Sequence, residues 1–254
     1  MAISQVASQA DKAVANNTTG VQRAFGSNVS AGSLVTVVCA KWVTSGSTDA
    51  FVAADCIKQA GTATIDTPTL DKQIEIVDSG DRYSIGIFSC LVTGAGSLTM
   101  RVQGATAGSF LALFTDEWAG TWDSSRVDGT PAATGSATNS QTSASSGNTT
   151  SAGAALFVAG LAMNTSTASF SMTPGNSFSI GAQEQDGTAN EVAAYAYRVV
   201  ASGSTLPGAW TIGSTNAGWA AGVVAYKETA GGGGGLIVNP LSGIGGTTAQ
   251  PLVN

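Results

Sequence analysis

The sequence has no histidine and few charged residues. The chain has 10 Lys and Arg residues and 16 Asp and Glu residues. Charged residues thus make up 10% of the chain, whereas about 25% is usual. Without histidine the chain cannot carry a Ser-His-Asp or Cys-His catalytic site, or a histidine-containing zinc site. The ten basic residues are scattered singly and the net charge is −6, which argues against a nucleic-acid partner. We therefore predict no enzymatic activity, with no catalytic residues, no cofactor and no metal site.

Long apolar runs and paired cysteines are also missing. The longest apolar runs, residues 154–163 and 217–226, are about half of the ~20 residues needed to span a bilayer. We expect no membrane partner and interpret both runs as buried strands. The first twelve residues have neither the basic opening nor the apolar stretch of a secretory signal peptide, so none is expected. Three cysteines, Cys39, Cys56 and Cys90, lie within apolar runs and are predicted to be reduced core residues.

Short strand-like segments dominate what is present. Ser and Thr number 59 and Gly 33, yet 43% of the residues are hydrophobic, which is enough for a folded core. Segments rich in β-branched and aromatic residues recur between turns that contain Ser and Gly. The predicted strands are residues 32–44, 51–57, 73–77, 82–92, 97–103, 109–118, 137–144, 152–163, 177–182, 191–201, 209–213 and 217–227. Only residues 7–16 tolerate a helix, so the pattern predicts an all-β, antiparallel β-sandwich.

The chain divides into a central domain and two terminal segments. We predict an N-terminal arm at residues 1–20, a β-sandwich domain at 21–230, a hinge of five glycines at 231–235 and a C-terminal tail at 236–254. Within the domain, residues 21–120 and 137–228 share a similar order of strands, with counterparts about 110–120 residues apart. Two arrangements fit this repeat, either two halves interleaved in one sandwich or two tandem domains. We favour one sandwich, because no Pro-rich or charged linker separates the halves.

A charge-free segment and the tail indicate contacts with neighbouring subunits. Residues 129–183 are 55 consecutive positions without Asp, Glu, Lys or Arg. Such a segment suits strand edges that a neighbour covers, and a bias in genome composition is the alternative explanation. The tail carries aliphatic residues that are costly to leave in water, so we expect it to dock on a neighbour rather than to be a disordered appendage. The predicted docking residues are Leu236, Ile237, Val238, Pro240, Leu241 and Ile244.

Adjacent carboxylates and the tryptophans are the remaining candidates for a site. Asp116 and Glu117 are neighbours on a predicted strand and should point to opposite faces, which argues against a shared catalytic site. Trp122 lies in a polar segment, where its ring could contact a glycan or a neighbouring subunit, with packing at the rim as the alternative. Three other tryptophans lie among apolar strand residues and are predicted in the core: Trp42, Trp210 and Trp219.

Several segments share strand and turn patterns with a known class of protein. They are residues 114–120 (FTDEWAG), 127–130 (VDGT), 154–160 (AALFVAG) and the closing strands at 197–200, 209–212 and 218–227. Together they resemble β-sandwich modules of tailed-bacteriophage virion proteins. The resemblance covers about residues 20–228, so the glycine hinge and the tail fall outside it. It implies a jelly-roll-like sandwich used in capsid decoration, head fibres or tail appendages, with no active residue to carry over.

From these observations we expect a non-enzymatic virion structural protein. It would be a capsid decoration (cement) protein or a head or tail fibre subunit, made in the host cytoplasm, that docks on other virion subunits through its tail. A homo-oligomer is expected, a trimer by analogy alone. One alternative is a carbohydrate-binding receptor-recognition module of a phage spike, with Trp122 and the rim loops on the glycan. The other is a cell-surface or pilus-like structural protein.

Overall fold

The computed structural model describes residues 2–6, 11–15, 18–43, 50–78, 80–108, 110–122, 124–128, 134–137, 143–165, 172–185, 191–212 and 216–229. In these ranges the chain forms strands and one 3₁₀ turn, Ala53–Asp55, and the strands pair antiparallel. The predicted all-β, antiparallel sandwich class is confirmed. No helix of the described part has the length and hydropathy to cross a bilayer. The hinge and the tail lie outside the described residues, and so do Leu236, Ile237, Val238, Pro240, Leu241 and Ile244.

The first half of the chain forms two sheets. Its strands are β1 (Ser4–Gln5), β2 (Asp11–Ala15), β3 (Thr18–Ala24), β4 (Leu34–Val43), β5 (Cys56–Ala60), β6 (Thr64–Ile65), β7 (Thr69–Asp78), β8 (Asp81–Gly94), β9 (Thr99–Gly108) and β10 (Phe110–Ala119). The first inner sheet has the order β1-β10-β4-β8-β6, with β2 also paired to β10 and β7 to β8. The first outer sheet has the order β3-β9-β5.

The second half also forms two sheets. Its strands are β11 (Thr134–Ala137), β12 (Ser143–Ser151), β13 (Ala155–Thr165), β14 (Met172–Pro174), β15 (Ser179–Gln185), β16 (Glu191–Val200), β17 (Ser204–Ile212) and β18 (Asn216–Lys227). The second inner sheet has the order β11-β18-β13-β16-β15, and the second outer sheet has the order β12-β17-β14.

Both halves pair their strands in the same order. In each inner sheet the last strand of the half, β10 or β18, lies between an early strand, β2 or β11, and the central strand, β4 or β13. In the outer sheets β9 lies between β3 and β5, and β17 lies between β12 and β14. This is the pairing of a jelly roll, whose eight strands form two facing sheets. The halves depart from it in one respect, because β7 and β15 join the inner sheets.

Three apolar layers fill the spaces between the four sheets. Strands of the inner sheets are buried on both faces, so their successive residues alternate between two layers. On β4, Val35 and Val37 enter the layer beneath the first outer sheet, whereas Leu34 and Val38 enter the middle layer between the two inner sheets. As predicted, Trp210 and Trp219 are buried, in the layer beneath the second outer sheet, and Trp42 packs partly buried on the middle layer. The sheets therefore stack in the order outer, inner, inner, outer.

A glycine allows the two inner sheets to approach closely. Gly160 on β13 is paired with Gly222 on β18, and both face the middle layer. A Cβ atom at Gly160 would lie 2.8 Å from Cγ1 of Val38 and 3.2 Å from Cγ2 of Ile85, across the layer. At Gly222 the nearest atoms would be at 3.7 Å, an ordinary contact distance. Of this pair, only Gly160 requires the absence of a side chain.

The N-terminal region differs from the sequence-based expectations. The helix-tolerant segment 7–16 contains strand β2, because pairing with β10 outweighs a weak local preference. The described residues of segment 1–20, the predicted arm, include β1, β2 and the first residues of β3. The predicted strand 51–57 begins only at Cys56. Before it, the backbone N–H of Val52 donates to the Asp55 carboxylate (2.8 Å) and closes the 3₁₀ turn.

The described strands form two sandwiches, not the single sandwich that the sequence analysis favours. Each half supplies both its own inner and its own outer sheet. The halves then meet through the middle layer, which contains residues of β4, β8 and β10 together with residues of β13, β16 and β18. Because the two sandwiches are packed together, their connection does not need the Pro-rich or charged composition of a flexible linker.

Candidate functional site

The segment after β10 brings Trp122 close to the end of the last strand. The backbone N–H of Thr229 donates to the carbonyl of Thr121 (2.8 Å). The indole N–H of Trp122 donates to the carbonyl of Trp118 (3.1 Å), and its ring leaves no space for a side chain at Gly120. The ring also packs against the middle layer, so it lies partly buried at the rim. Glycan contact by Trp122 stays a prediction, with the indole N–H already bonded within the chain.

A buried carboxylate of the first half is bound by the second half. The Tyr195 hydroxyl of β16 donates to Oδ2 of Asp116 (2.9 Å), and the side-chain amide of Gln5 donates to the same oxygen (2.6 Å). Glu117 points to the other face, where its Oε1 accepts the backbone N–H of Ser30 (2.7 Å). As predicted, Asp116 and Glu117 do not share a site.

Arg126 forms a second link between the halves. Its backbone runs beside β18, because the N–H of Lys227 donates to the Arg126 carbonyl (2.8 Å). Its side chain, 4% exposed, reaches the first inner sheet. There Nε donates to Oγ of Ser89 (2.8 Å), Nη2 donates to the Ser89 carbonyl (3.0 Å) and Nη1 donates to Oδ2 of Asp66 (3.2 Å). The guanidinium thus binds Ser89 on β8 and Asp66, the residue after β6, through several of its donors.

Two more carboxylate oxygens of the first half accept hydrogen bonds in this region. The backbone N–H of Leu91 donates to Oδ1 of Asp66 (2.6 Å). The hydroxyl of Tyr226 on β18 donates to Oδ2 of Asp71 (2.7 Å). In both networks the acceptor carboxylates belong to the first half, and donors of the second half reach across to them. These contacts fix how one sandwich sits on the other, since apolar packing alone is not directional.

Burial sets the protonation of these carboxyl groups. It raises the pKa of Asp71 and the pKa of Asp116 to about 6, although hydrogen bonds, including those from Tyr226 and Tyr195, oppose part of the increase. The positive charge of Arg126 also lowers the pKa of Asp71. Burial raises the pKa of Tyr195 and of Tyr226 well above the ordinary tyrosine value, so both remain protonated donors at neutral pH.

The protein is expected to become less stable as the pH rises from 4 to 8. Each of the two carboxyls has a folded-state pKa of about 6, above the pKa of 3.8 that is ordinary for an aspartate in water. The folded state therefore binds more protons in this window, and the unfolding free energy falls as the pH passes through the folded-state pKa. This difference between the folded and unfolded pKa corresponds to a loss of at most about 3 kcal/mol in the unfolding free energy per carboxyl group. Urea unfolding at pH 5 and at pH 8 measures the slope, and Asp116→Asn should flatten it. A slope of the opposite sign would contradict this account.

The three cysteines lie together in the layer beneath the first outer sheet. Cys39, Cys56 and Cys90 are at most 2% exposed and are free thiols, as predicted. Burial raises the pKa of Cys56 to about 12 and the pKa of Cys39 and of Cys90 well above the usual range. The reactive thiolate is therefore scarce at each position, and access to it is blocked.

These thiols should react only when the protein unfolds. In buffer at pH 8, a thiol reagent such as Ellman's reagent is expected to find almost no reactive thiol. In denaturant it should titrate three thiols per chain, the cysteine count. Rapid labelling of any thiol in the folded protein would show that the layer opens locally.

The two outer sheets differ in charge. Each strand of the first outer sheet carries one basic residue, namely Arg23, Arg101 and Lys58. Strands β12, β14 and β17 of the second outer sheet carry no charged residue. Their exposed side chains are short and polar, and the Thr150 and Thr205 hydroxyls are hydrogen-bonded between strands (2.9 Å). The second outer sheet therefore presents a neutral face.

The fold defines this chain as a pair of stacked, jelly-roll-like sandwiches. In the described part of the chain, no group of three His, Cys, Asp or Glu residues is arranged to hold a metal ion. Comparisons of the chain with protein-family models, with curated proteins and with solved structures find no match. A function must therefore be argued from the fold, the charge distribution and the contacts above.

Proposed function

We propose that this protein is a non-enzymatic structural subunit of a tailed-bacteriophage virion, a capsid decoration protein or a fibre subunit. The observation that carries the proposal is the neutral face of the second outer sheet. A free protein usually protects the edges and faces of its sheets with charge. A sheet without charge, on a molecule whose other outer sheet has a basic residue on each strand, suits a surface that neighbouring subunits cover.

The stacked sandwiches support the same proposal. Jelly rolls occur among viral capsid proteins, and this architecture has two of them packed through a shared apolar layer. The two sandwiches are joined by apolar packing, by Arg126 and by the Tyr195–Asp116 contact. Fold alone does not define function. The proposal therefore also depends on the charge difference between the two outer sheets and on the resemblance of residues 20–228 to phage virion modules.

The test is incorporation into particles. Particles from the organism that encodes the chain are purified on a density gradient, and the chain is quantified in them by mass spectrometry. We expect co-migration in many copies per particle. Deletion of residues 236–254 should reduce incorporation at least tenfold, because it removes the docking residues.

A shorter deletion is the matched control. Removal of residues 245–254 leaves the predicted docking residues in place and should preserve incorporation. Both variants should keep the far-ultraviolet circular dichroism of the full chain, since the last described strand ends at Lys227. Absence of the full chain from particles would refute the proposal. Normal incorporation of the long deletion would refute the role of the tail.

A further inference from the structure

A groove opens beside the place where the described chain ends. Its walls are residues 30–33 together with Val6, Ala119 and Gly120, and its volume is about 190 Å³. One water molecule needs only about 10–15 Å³, so the groove can receive side chains. None of the wall residues is charged, and Val6, Ala31 and Ala119 offer apolar surface. The groove suits a short apolar ligand.

Hydrogen bonds fix the chain end next to this groove. The backbone N–H of Thr229 donates to the carbonyl of Thr121, the residue after Gly120 in the groove wall. The backbone N–H of Thr121 in turn donates to Oε1 of Glu228 (3.0 Å). The strand pairing Ser4 with Ala119 places the wall that contains Val6 along the same end of β10. Whatever follows Thr229 therefore starts at the edge of the groove.

The sequence that follows Thr229 supplies a matching ligand. Residues 230–235 are Ala and five glycines, and the next three residues are Leu236, Ile237 and Val238. Six residues of flexible, glycine-rich chain have a typical end-to-end distance of about 13 Å. A segment of this length can reach the groove, because Gly120 in the groove wall is the neighbour of Thr121, to which Thr229 is hydrogen-bonded. A tether this short gives an effective concentration in the millimolar range.

We propose that Leu236, Ile237 and Val238 of the unassembled protein occupy the groove of their own chain. Seating removes three aliphatic side chains from water and lets them contact Val6, Ala31 and Ala119. The segment then remains available to exchange into the equivalent groove of a neighbouring copy. This inference concerns the isolated chain, so it holds or fails independently of incorporation into a virion.

A disulfide-trapping experiment on the full chain tests the proposal. Ala31→Cys in the exposed wall of the groove is combined with Ile237→Cys, and mild oxidation is followed by non-reducing electrophoresis and peptide mass spectrometry. The native thiols are buried and do not compete. We expect an intramolecular bond that forms at least tenfold faster than in the matched pair Thr205→Cys with Ile237→Cys. Thr205 is exposed on the second outer sheet.

Further variants distinguish binding of the segment in the groove from the closeness that the short tether alone imposes. Adding Leu236→Ser and Val238→Ser to the Ala31 pair should slow the bond at least fivefold, because the tether is unchanged and only apolar contacts are lost. Equal rates for the Ala31 and Thr205 pairs would overturn the proposal, and so would a rate unaffected by the serines. Disulfide-linked dimers without an intramolecular product would assign the groove to the tail of a second copy and also overturn it.

Discussion

Replacing Arg126 by Met is expected to lower the unfolding free energy by about 3 kcal/mol. The guanidinium is almost fully buried and donates to Ser89 and Asp66 on the other sandwich. Methionine keeps much of the apolar stem but leaves the buried Ser89 hydroxyl and carbonyl without their donors, which is costly, whereas Asp66 keeps contact with solvent. Because Arg126 also lowers the pKa of Asp71, the variant should lose more stability between pH 5 and pH 8 than the wild type. Urea titrations at the two pH values measure both effects.

Arg82→Met is the matched control for this prediction. Arg82 pairs with Glu75 at 3.4 Å within the first half, and both side chains keep contact with solvent. Solvent-accessible pairs contribute about 0–1 kcal/mol, so this variant should stay within about 1 kcal/mol of the wild type. If the two arginine variants lost equal stability, the link between the sandwiches would not be the cause.

Gly160→Ala is expected to destabilise the protein by about 1–3 kcal/mol. The new methyl group would lie 2.8 Å from Val38 and 3.2 Å from Ile85, across the middle layer. Relief requires the two inner sheets to separate or side chains to leave their rotamers, and both disturb a layer that is shared by the whole molecule. Thermal and urea unfolding measure the loss.

The partner glycine provides the control for Gly160. Gly222 lies directly opposite Gly160 in the strand pair, faces the same layer, and has its nearest potential contacts at 3.7 Å. Gly222→Ala should therefore be neutral or raise stability by up to about 1 kcal/mol, because alanine restricts the unfolded chain. If Gly222→Ala cost as much as Gly160→Ala, the close approach of the sheets would not explain the effect.

The central strands of the inner sheets could be predicted from the sequence, but the edge strands β1, β2, β6 and β11 and the outer strands β3, β12 and β14 could not. Burial on both faces gives β4, β8 and β13 continuous apolar runs, which are visible without a structure. The outer strands β12 and β14 are short or rich in Ser, Gly and Thr, and their composition is that of loops. Their strand conformation depends on pairing with β17, which local sequence does not encode.

The contacts between the sandwiches were not predictable either. Apolar runs show that a strand is buried, but they do not show which sheet covers it. Arg126 carries no periodic signal, and its partners Ser89 and Asp66 are 37 and 60 positions away in the sequence. Asp116 could be assigned to the face opposite Glu117 by alternation alone. The contact of Asp116 with Tyr195, which is 79 positions away, could not be predicted from the sequence.

The position of β18 decides how the molecule would respond to mechanical tension. This strand lies between β11 and β13, and its backbone ladder with β13 extends from Asn216 to Lys227. A pull on the chain beyond Lys227 that is directed along the strand axis would load the hydrogen bonds of this ladder together in shear and would not peel them apart one at a time. An anchor at the C-terminal end that pulls along this axis would therefore act on the direction in which the sheet resists best.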